Sequence, residues 1–276
     1  MYNFTMLRCP RSLLFLALFL GLSSPTLASD PSSDWTPFVL AEKMNADSPA
    51  NIGKRVLDAP AGKHGFVKVK GNRFVFEDGA PAKFWGTNLV FEACFPPKEQ
   101  AALIADRLAF FGFNAIRLHH MDRYFEPRGI FEDAAPLSKD SQAKPTGRLS
   151  ARQLDRLDHL VYQLKIRGIY ININLLVSRY FTEADGVKNA KLLGMAAKPA
   201  SLFDARLIEL QRAYAKELLS HVNPYTGLAY KDDPAVCMIE ITNENSLFDR
   251  NLERLPPPYY EQIQEQAKHW KQLQAV

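Results

Sequence analysis

Four apolar, β-branched stretches punctuate this chain, each breaking off into polar residues: Phe84 to Leu89, Phe113 to His119, Ile169 to Leu176 and Ala235 to Thr242. Apolar residues on both faces, such as Val236, Ile239 and Ile241 in the last stretch, suit parallel strands covered on both sides. Helical patterns lie between them. Pro97 to Phe111 starts on a proline and has Gly112 in the C′ position. Ser150-Ala-Arg-Gln153 reads as a capping box ahead of the stripe Leu154, Leu157, Leu160, Val161 and Leu164. Leu207, Leu210, Tyr214 and Leu218 stripe a helix from about Phe203 to Val222, and a polar helix follows from about Tyr259 to Leu273. Strand and helix in alternation predict a parallel sheet with right-handed crossovers.

The polar residues also have a pattern. Trp85, Asn88, His119, Asn174 and Asn243-Glu244 are read at strand C-terminal ends, and the longest loops follow those ends. A (β/α) barrel builds its active face in that way. A doubly wound sheet stays open as an alternative, but it would usually carry a Gly-rich phosphate loop after its first strand, and Trp85-Gly-Thr-Asn-Leu-Val-Phe91 does not supply one. Upstream, Phe66 to Lys70 and Arg73 to Glu77 alternate with period two around Gly71-Asn72, which predicts a β-hairpin capping one end of the barrel. A complete barrel needs eight strands and about 250 residues. The expected fold class is therefore α/β, an incomplete (β/α)8 TIM-barrel type of about four β/α units behind an N-terminal hairpin, with residues 65–276 as the N-terminal half of the domain. Its two open edges would be a liability for aggregation.

Four motifs carry a family resemblance. Phe84-Trp-Gly-Thr-Asn88, Gly112-Phe-Asn-Ala-Ile-Arg-Leu118, Gly168-Ile-Tyr-Ile-Asn172 and Ile239-Glu-Ile-Thr-Asn-Glu244 occur in that order. Together they resemble strands one to four of the clan A glycoside hydrolases, in particular the cellulase-like family five, over about residues 65–250. The resemblance implies that Glu244 is the general acid/base and Asn243 its hydrogen-bonding neighbour, and it matches Arg117 to the arginine of strand two. Where that family often has proline after Asn-Glu, this chain has Asn245.

The chemistry explains the residue types. Breaking a glycosidic bond requires a carboxylic acid to protonate a poor leaving group, and a retaining mechanism adds a carboxylate nucleophile about 5–5.5 Å away. In such a pair the ionised partner and partial burial raise the acid's pKa. The resemblance implies a nucleophilic Glu on strand seven, beyond Val276. Glu240 does not fill that role: it lies four residues before Glu244, about 13 Å back along a strand at ~3.3 Å per residue. It is expected to point into the barrel and pair with a basic residue such as Arg117. Asn243 is placed to bond a sugar 2-hydroxyl.

Further substrate-binding candidates are Arg117, His119, Asn174, Asn88, Trp85 and Tyr180. Arg117 and His119 share one side of their strand, whereas His119 and His120 point opposite ways. Barrel metallohydrolases usually present two inward histidines at i and i+2, so this spacing disfavours a metal, and no cofactor is expected. Asn172 and Asn174 share a face, and Asn172 reads equally well as a core Asn bonded to backbone. Of the aromatics at or after strand ends, Trp85, Phe91, Tyr124, Tyr180 and Phe248, some would stack on pyranose rings and others anchor loops.

The chain begins with Arg8 and Arg11, an apolar run from Leu13 to Leu22, and Ser23-Ser24-Pro25-Thr26-Leu27-Ala28. That is the layout of a cleavable signal peptide over 1–28, with cleavage after Ala28 and a secreted or periplasmic product. The run is too short to span a membrane, which takes roughly 20 apolar residues, so no stable span remains after cleavage. Residues 29–64 read as an extended lead-in. Loss of Arg8 and Arg11 takes the 34 basic residues to 32 against 30 acidic, a near-neutral balance with no electrostatic footprint for nucleic acid. Cys94 and Cys237 do not form a disulfide framework, and Cys237 reads as a small core residue. The expected partner is a poly- or oligosaccharide, with a β linkage. Two rivals remain at this level: a non-catalytic carbohydrate-binding half-barrel, and a metal-dependent barrel hydrolase.

Overall fold

A computed structural model describes residues 43–123, 125–132, 145–248 and 252–274. The leader, its cleavage site, the lead-in up to residue 42 and Tyr124 lie outside the described residues. The elements run α1 (Gly53–Val56), β1 (Val67–Lys70), β2 (Arg73–Phe76), β3 (Gly86–Val90), α2 (Lys98–Phe110), β4 (Ala115–His119), α3 (Ala151–Lys165), β5 (Tyr170–Leu176), α4 (Ala190–Leu193), α5 (Ala197–Ala200), α6 (Ala205–Ser220), β6 (Val236–Thr242) and α7 (Tyr259–Gln274). β3, β4, β5 and β6 form one parallel sheet in chain order, with helices in the crossovers. This is the architecture of an incomplete (β/α) barrel.

Period-two alternation sorts the strands into two faces. Ile116 and Leu118 of β4 and Ile171, Ile173 and Leu175 of β5 join one core with Ala101 and Ala105 of α2, Leu157, Leu160 and Leu164 of α3, and Tyr214 and Leu218 of α6. Burying each of the α3 leucines contributes roughly 2 kcal/mol. The intervening residues Arg117, His119, Asn172 and Asn174 carry the opposite, polar face. β6 departs from the expectation of cover on both sides: Met238 is 44% exposed, Ile239 42% and Ile241 68%. As an edge strand it has one neighbour, β5.

The helix starts differ in one detail from the sequence pattern. Ser150 Oγ accepts the Gln153 N–H at 3.3 Å, which is half of a capping box. The other half is missing because the Ser150 N–H donates to the Ile130 carbonyl at 2.8 Å, while Gln153 Nε2 donates to the Pro127 and Gly129 carbonyls at 2.9 and 3.0 Å. These bonds tie the loop after β4 to α3, and within the loop the Ile130 amide donates to Met121 at 2.8 Å. The loop after β4 thus contributes Met121, Ile130 and Phe131 to the core. Asp204 caps α6 by accepting the Leu207 N–H at 2.9 Å.

The hairpin closes the N-terminal end of the sheet. Phe76 stacks on Tyr170 at 5.3 Å between ring centroids, and both belong to a cluster with Ala61, Ala82 and Ala235. Lys165 donates to both Asp233 oxygens at 2.8 and 2.9 Å, while Asp233 Oδ1 accepts the Ala235 N–H, so the Asp-Pro turn sets the start of β6. A second clamp holds the lead-in: the His64 ring bonds Asp58 at 2.7 Å through Nε2 and Asp78 through Nδ1. Asp58 and then Asp78 raise the His64 pKa, against a smaller opposing effect of desolvation. A histidine whose folded value is raised stabilises the fold fully below its unfolded value of about 6.5, and this contribution is lost as pH rises through the folded value. His64→Gln is therefore expected to lower the melting temperature most in acid, with the difference from wild type shrinking as pH rises above 6.5. A pH series of thermal melts checks this; a difference that grows with pH would contradict it.

Candidate active site

The C-terminal ends of β4, β5 and β6 meet in one polar cluster. Arg117 forks onto Glu240, Nε to Oε2 and Nη2 to Oε1, both at 2.7 Å, and Nη2 also reaches Asn243 Oδ1 at 2.7 Å. Two parallel N–H donors meeting a carboxylate is the strongest ion-pair geometry available to arginine. Glu240 is accordingly held below its usual pKa, chiefly by Arg117. The expectation that Glu240 is a partner of Arg117 and not an isolated acid agrees with this geometry.

Asn243 is buried, and its backbone N–H donates to the Leu176 carbonyl at 2.9 Å, which stitches the end of β6 to the end of β5. With Oδ1 committed to Arg117, its Nδ2 is the group left to donate to a ligand. Glu244 follows, exposed, with φ of 41°. This left-handed conformation is uncommon outside glycine and costs of order 1 kcal/mol or more. The break in backbone direction places Glu244 beyond the regular strand, so its side chain no longer follows the alternation that orients Glu240. His120 (φ 59°) and Phe91 (φ 53°) make the same break after β4 and β3.

These two turn residues stack on each other at 4.4 Å, and His120 Nδ1 lies 2.9 Å from Ser178 Oγ beyond β5. Burial first, then the neighbouring His119 and Arg123, pushes the His120 pKa down to about 4. Beneath them Asp122 is fully buried and accepts the backbone N–H groups of Val177 (2.7 Å), Ser178 (3.0 Å) and Arg179 (3.0 Å) on Oδ2. Arg179, also buried, lies over the rings of Phe131 and Phe181 at 4.7 and 4.8 Å and donates to the Leu210 carbonyl. Asp122, Ser178 and Arg179 are the supports that strand-end reasoning missed. The sequence marks Asp122 only as the acid of His119-His120-Met121-Asp122, with nothing to show that it bonds a segment 55 residues on.

The remaining site residues divide by position. Asn88 pairs in register with Arg117, and Arg117 with Asn172, across an open concavity of about 430 Å³ on the polar face. His119 is half-buried with Nδ1 3.1 Å from Asn174 Nδ2. Asn174 is fully buried and so lies behind His119, out of reach of a ligand at the mouth. Tyr180 has one ring face covered by Arg123 at 5.0 Å, and Phe91 has Arg128 at 4.2 Å, which leaves less bare aromatic surface than the sequence implied. Phe248 is 98% exposed.

Trp85 requires a correction. β3 begins at Gly86, two residues later than the apolar pattern suggested, so Trp85 stands before the strand, at the opposite end of the sheet from Glu244. There it stacks on Phe113, which precedes β4, with an interplanar angle of 9°. Its N–H is held by Asn114 Oδ1 at 2.6 Å. Gly86 explains the later start: a Cβ there would lie 2.8 Å from the Ala115 carbonyl oxygen, so only glycine lets β3 approach β4. Among the described residues no three His, Cys, Asp or Glu side chains gather as a metal site, and no helix is long and apolar enough to cross a membrane.

No family model and no curated protein sequence matches the chain. Solved structures that are similar include an endo-1,4-β-mannanase from Rhizomucor miehei, with 19% identity over 65% of this chain and 48% of that one at a TM-score of 0.49. An endo-β-1,4-mannanase from Thermotoga petrophila shares 18% identity over 59% of this chain and 35% of that one, at 0.41. A glycoside hydrolase family 5 protein from Bacteroides vulgatus shares 16% identity over 65% and 33%, also at 0.41. The chain spans between a third and a half of the length of these three proteins.

Proposed function

We propose that this chain supplies the first four β/α units of an exported glycoside hydrolase that cleaves β-linked poly- or oligosaccharides with retention. The observation that carries the reading is Arg117, which joins Glu240 and Asn243 in one hydrogen-bonded group immediately before Glu244. Glu244 acts as general acid towards the leaving oxygen and then as base towards the incoming water. Asn243 Nδ2 donates to the sugar 2-hydroxyl, an interaction of the kind that strengthens in an oxocarbenium-like transition state. The nucleophile is a Glu on strand seven of the complete domain, about 5–5.5 Å from Glu244 as retention requires. The signal peptide over 1–28, cleaved after Ala28, delivers the protein to a polymeric substrate outside the cytoplasm.

The test is stereochemical. The complete domain is incubated with β-linked glucans, mannans and xylans, and the anomeric configuration of the first product is followed by proton NMR. Retention of the β configuration is expected. A first-formed α anomer would overturn the two-carboxylate retaining mechanism. Binding without hydrolysis of any of them would instead favour a non-catalytic half-barrel.

A further inference from the structure

Behind His119, the direction of the Asn174 amide is fixed by its neighbours. Asn174 is fully buried and pairs in register with Glu240 on the adjacent strand. Its side chain lies beside the Glu240 carboxylate, whose pKa it helps to lower, and its Nδ2 lies 3.1 Å from His119 Nδ1. Glu240 is ionised against Arg117 and is acceptor-only. An amide oxygen turned towards it would set acceptor against acceptor, so the NH₂ must face this way, although this leaves Oδ1 without a partner. Asparagine orientation is then decided by the network, not by the shape of the side chain. The histidine nitrogen that meets the same NH₂ has to be an acceptor. A protonated Nδ1 would face a donor.

We infer that Asn174 is a positioning residue which, itself oriented by Glu240, holds His119 as the neutral Nε2–H tautomer and so makes His119 a hydrogen-bond donor to a sugar hydroxyl. The second part rests on the glycan reading above. The surroundings agree with a neutral ring: burial and then Arg117 lower the His119 pKa, with Lys198 acting the same way and Glu240 and Glu244 opposing. His120, in edge-on contact at 4.2 Å between centroids, is the other titratable neighbour and is itself pushed down. His119 is thus neither a base competing with Glu244 nor a cation, and Nε2–H is the only polar hydrogen it can offer.

The experiment uses the full chain labelled with ¹⁵N-histidine, the His119 signals being assigned by their loss in His119→Gln. Long-range ¹H–¹⁵N correlation near neutral pH is expected to give a pyridine-like Nδ1 and a pyrrole-like Nε2. In Asn174→Asp, a carboxylate in place of the amide is expected to reverse the pattern and raise the pH at which the ring titrates. A wild-type spectrum with pyrrole-like Nδ1, or an average of both tautomers, would overturn the assignment whether or not Asn174→Asp folds. In the complete domain the same variant is expected to raise KM about tenfold, the loss of one neutral hydrogen bond, with a smaller change in kcat. A reversed tautomer with unchanged KM would remove the donor role while leaving hydrolysis itself untouched, and wild-type hydrolysis is read separately from either result.

Discussion

Glu244→Gln in the complete domain is expected to lower turnover on glycosides with poor leaving groups by about 10²–10⁴-fold, the range for a lost general acid/base. The substitution is close to isosteric and retains the same left-handed backbone, φ 41° in this chain, so its effect isolates the carboxyl group from the strain. The leaving group then separates the two halves of the reaction. Under the proposed retaining mechanism, the leaving group of an activated aryl glycoside departs without protonation, so the glycosyl-enzyme forms and deglycosylation becomes limiting for want of a base. Azide needs no base and is expected to restore part of that turnover as glycosyl azide. Undiminished turnover of the variant on a poor leaving group would sink the assignment of Glu244. Substrate-concentration curves for both substrate classes, with and without azide, contain all of these comparisons.

The second large effect concerns stability. Asp122→Ala is expected to destabilise the fold by about 3–5 kcal/mol, because it strands three buried backbone N–H groups at roughly 1–3 kcal/mol each, partly offset by any water that enters. That is a large share of the about 5–15 kcal/mol that holds a typical domain. The donors Val177, Ser178 and Arg179 belong to the segment leaving β5, whereas Asp122 belongs to the segment leaving β4. Losing the carboxylate therefore separates two strand-end loops and, with them, the contact between His120 and Ser178. Asp122→Asn can present its oxygen to the three donors that Oδ2 serves, so a smaller loss is expected. Urea unfolding of the three proteins decides it; an Ala variant within 1 kcal/mol of wild type would show that these bonds are replaced by solvent.

Much of the architecture was legible because hydrophobic period and turn chemistry are local. The six strands and the four long helices appear where alternation, the Leu stripes and the glycines after helices put them, within one or two residues at most ends. The same locality explains the misreadings. Trp85 lies at the start of this stretch whether the strand begins at Phe84 or at Gly86, so placing it at the active end mistook its position within Phe84 to Leu89; where β3 begins is fixed by its neighbour, here Ala115 against Gly86. The second half of the Ser150 capping box is absent because the Ile130 carbonyl, 20 residues upstream, takes the Ser150 N–H that the box would give to Gln153.

For the candidate site, residue types and spacing were enough to name Arg117, His119, Asn174, Asn243 and Glu244, because strand-end position follows from the local pattern. Which of them face a ligand and which stand behind others depends on contacts across 55 to 126 residues of chain. Sequence by itself therefore determined the alternation of strand and helix, the polar face and the pairing expected of Glu240. Only the tertiary structure decided that Asn174 is buried behind His119, that Asn243 spends its oxygen on Arg117, and that Glu244 leaves the strand through a left-handed turn. Hydrogen-bond competition in a crowded interior is settled by all neighbours at once, and no local period encodes it.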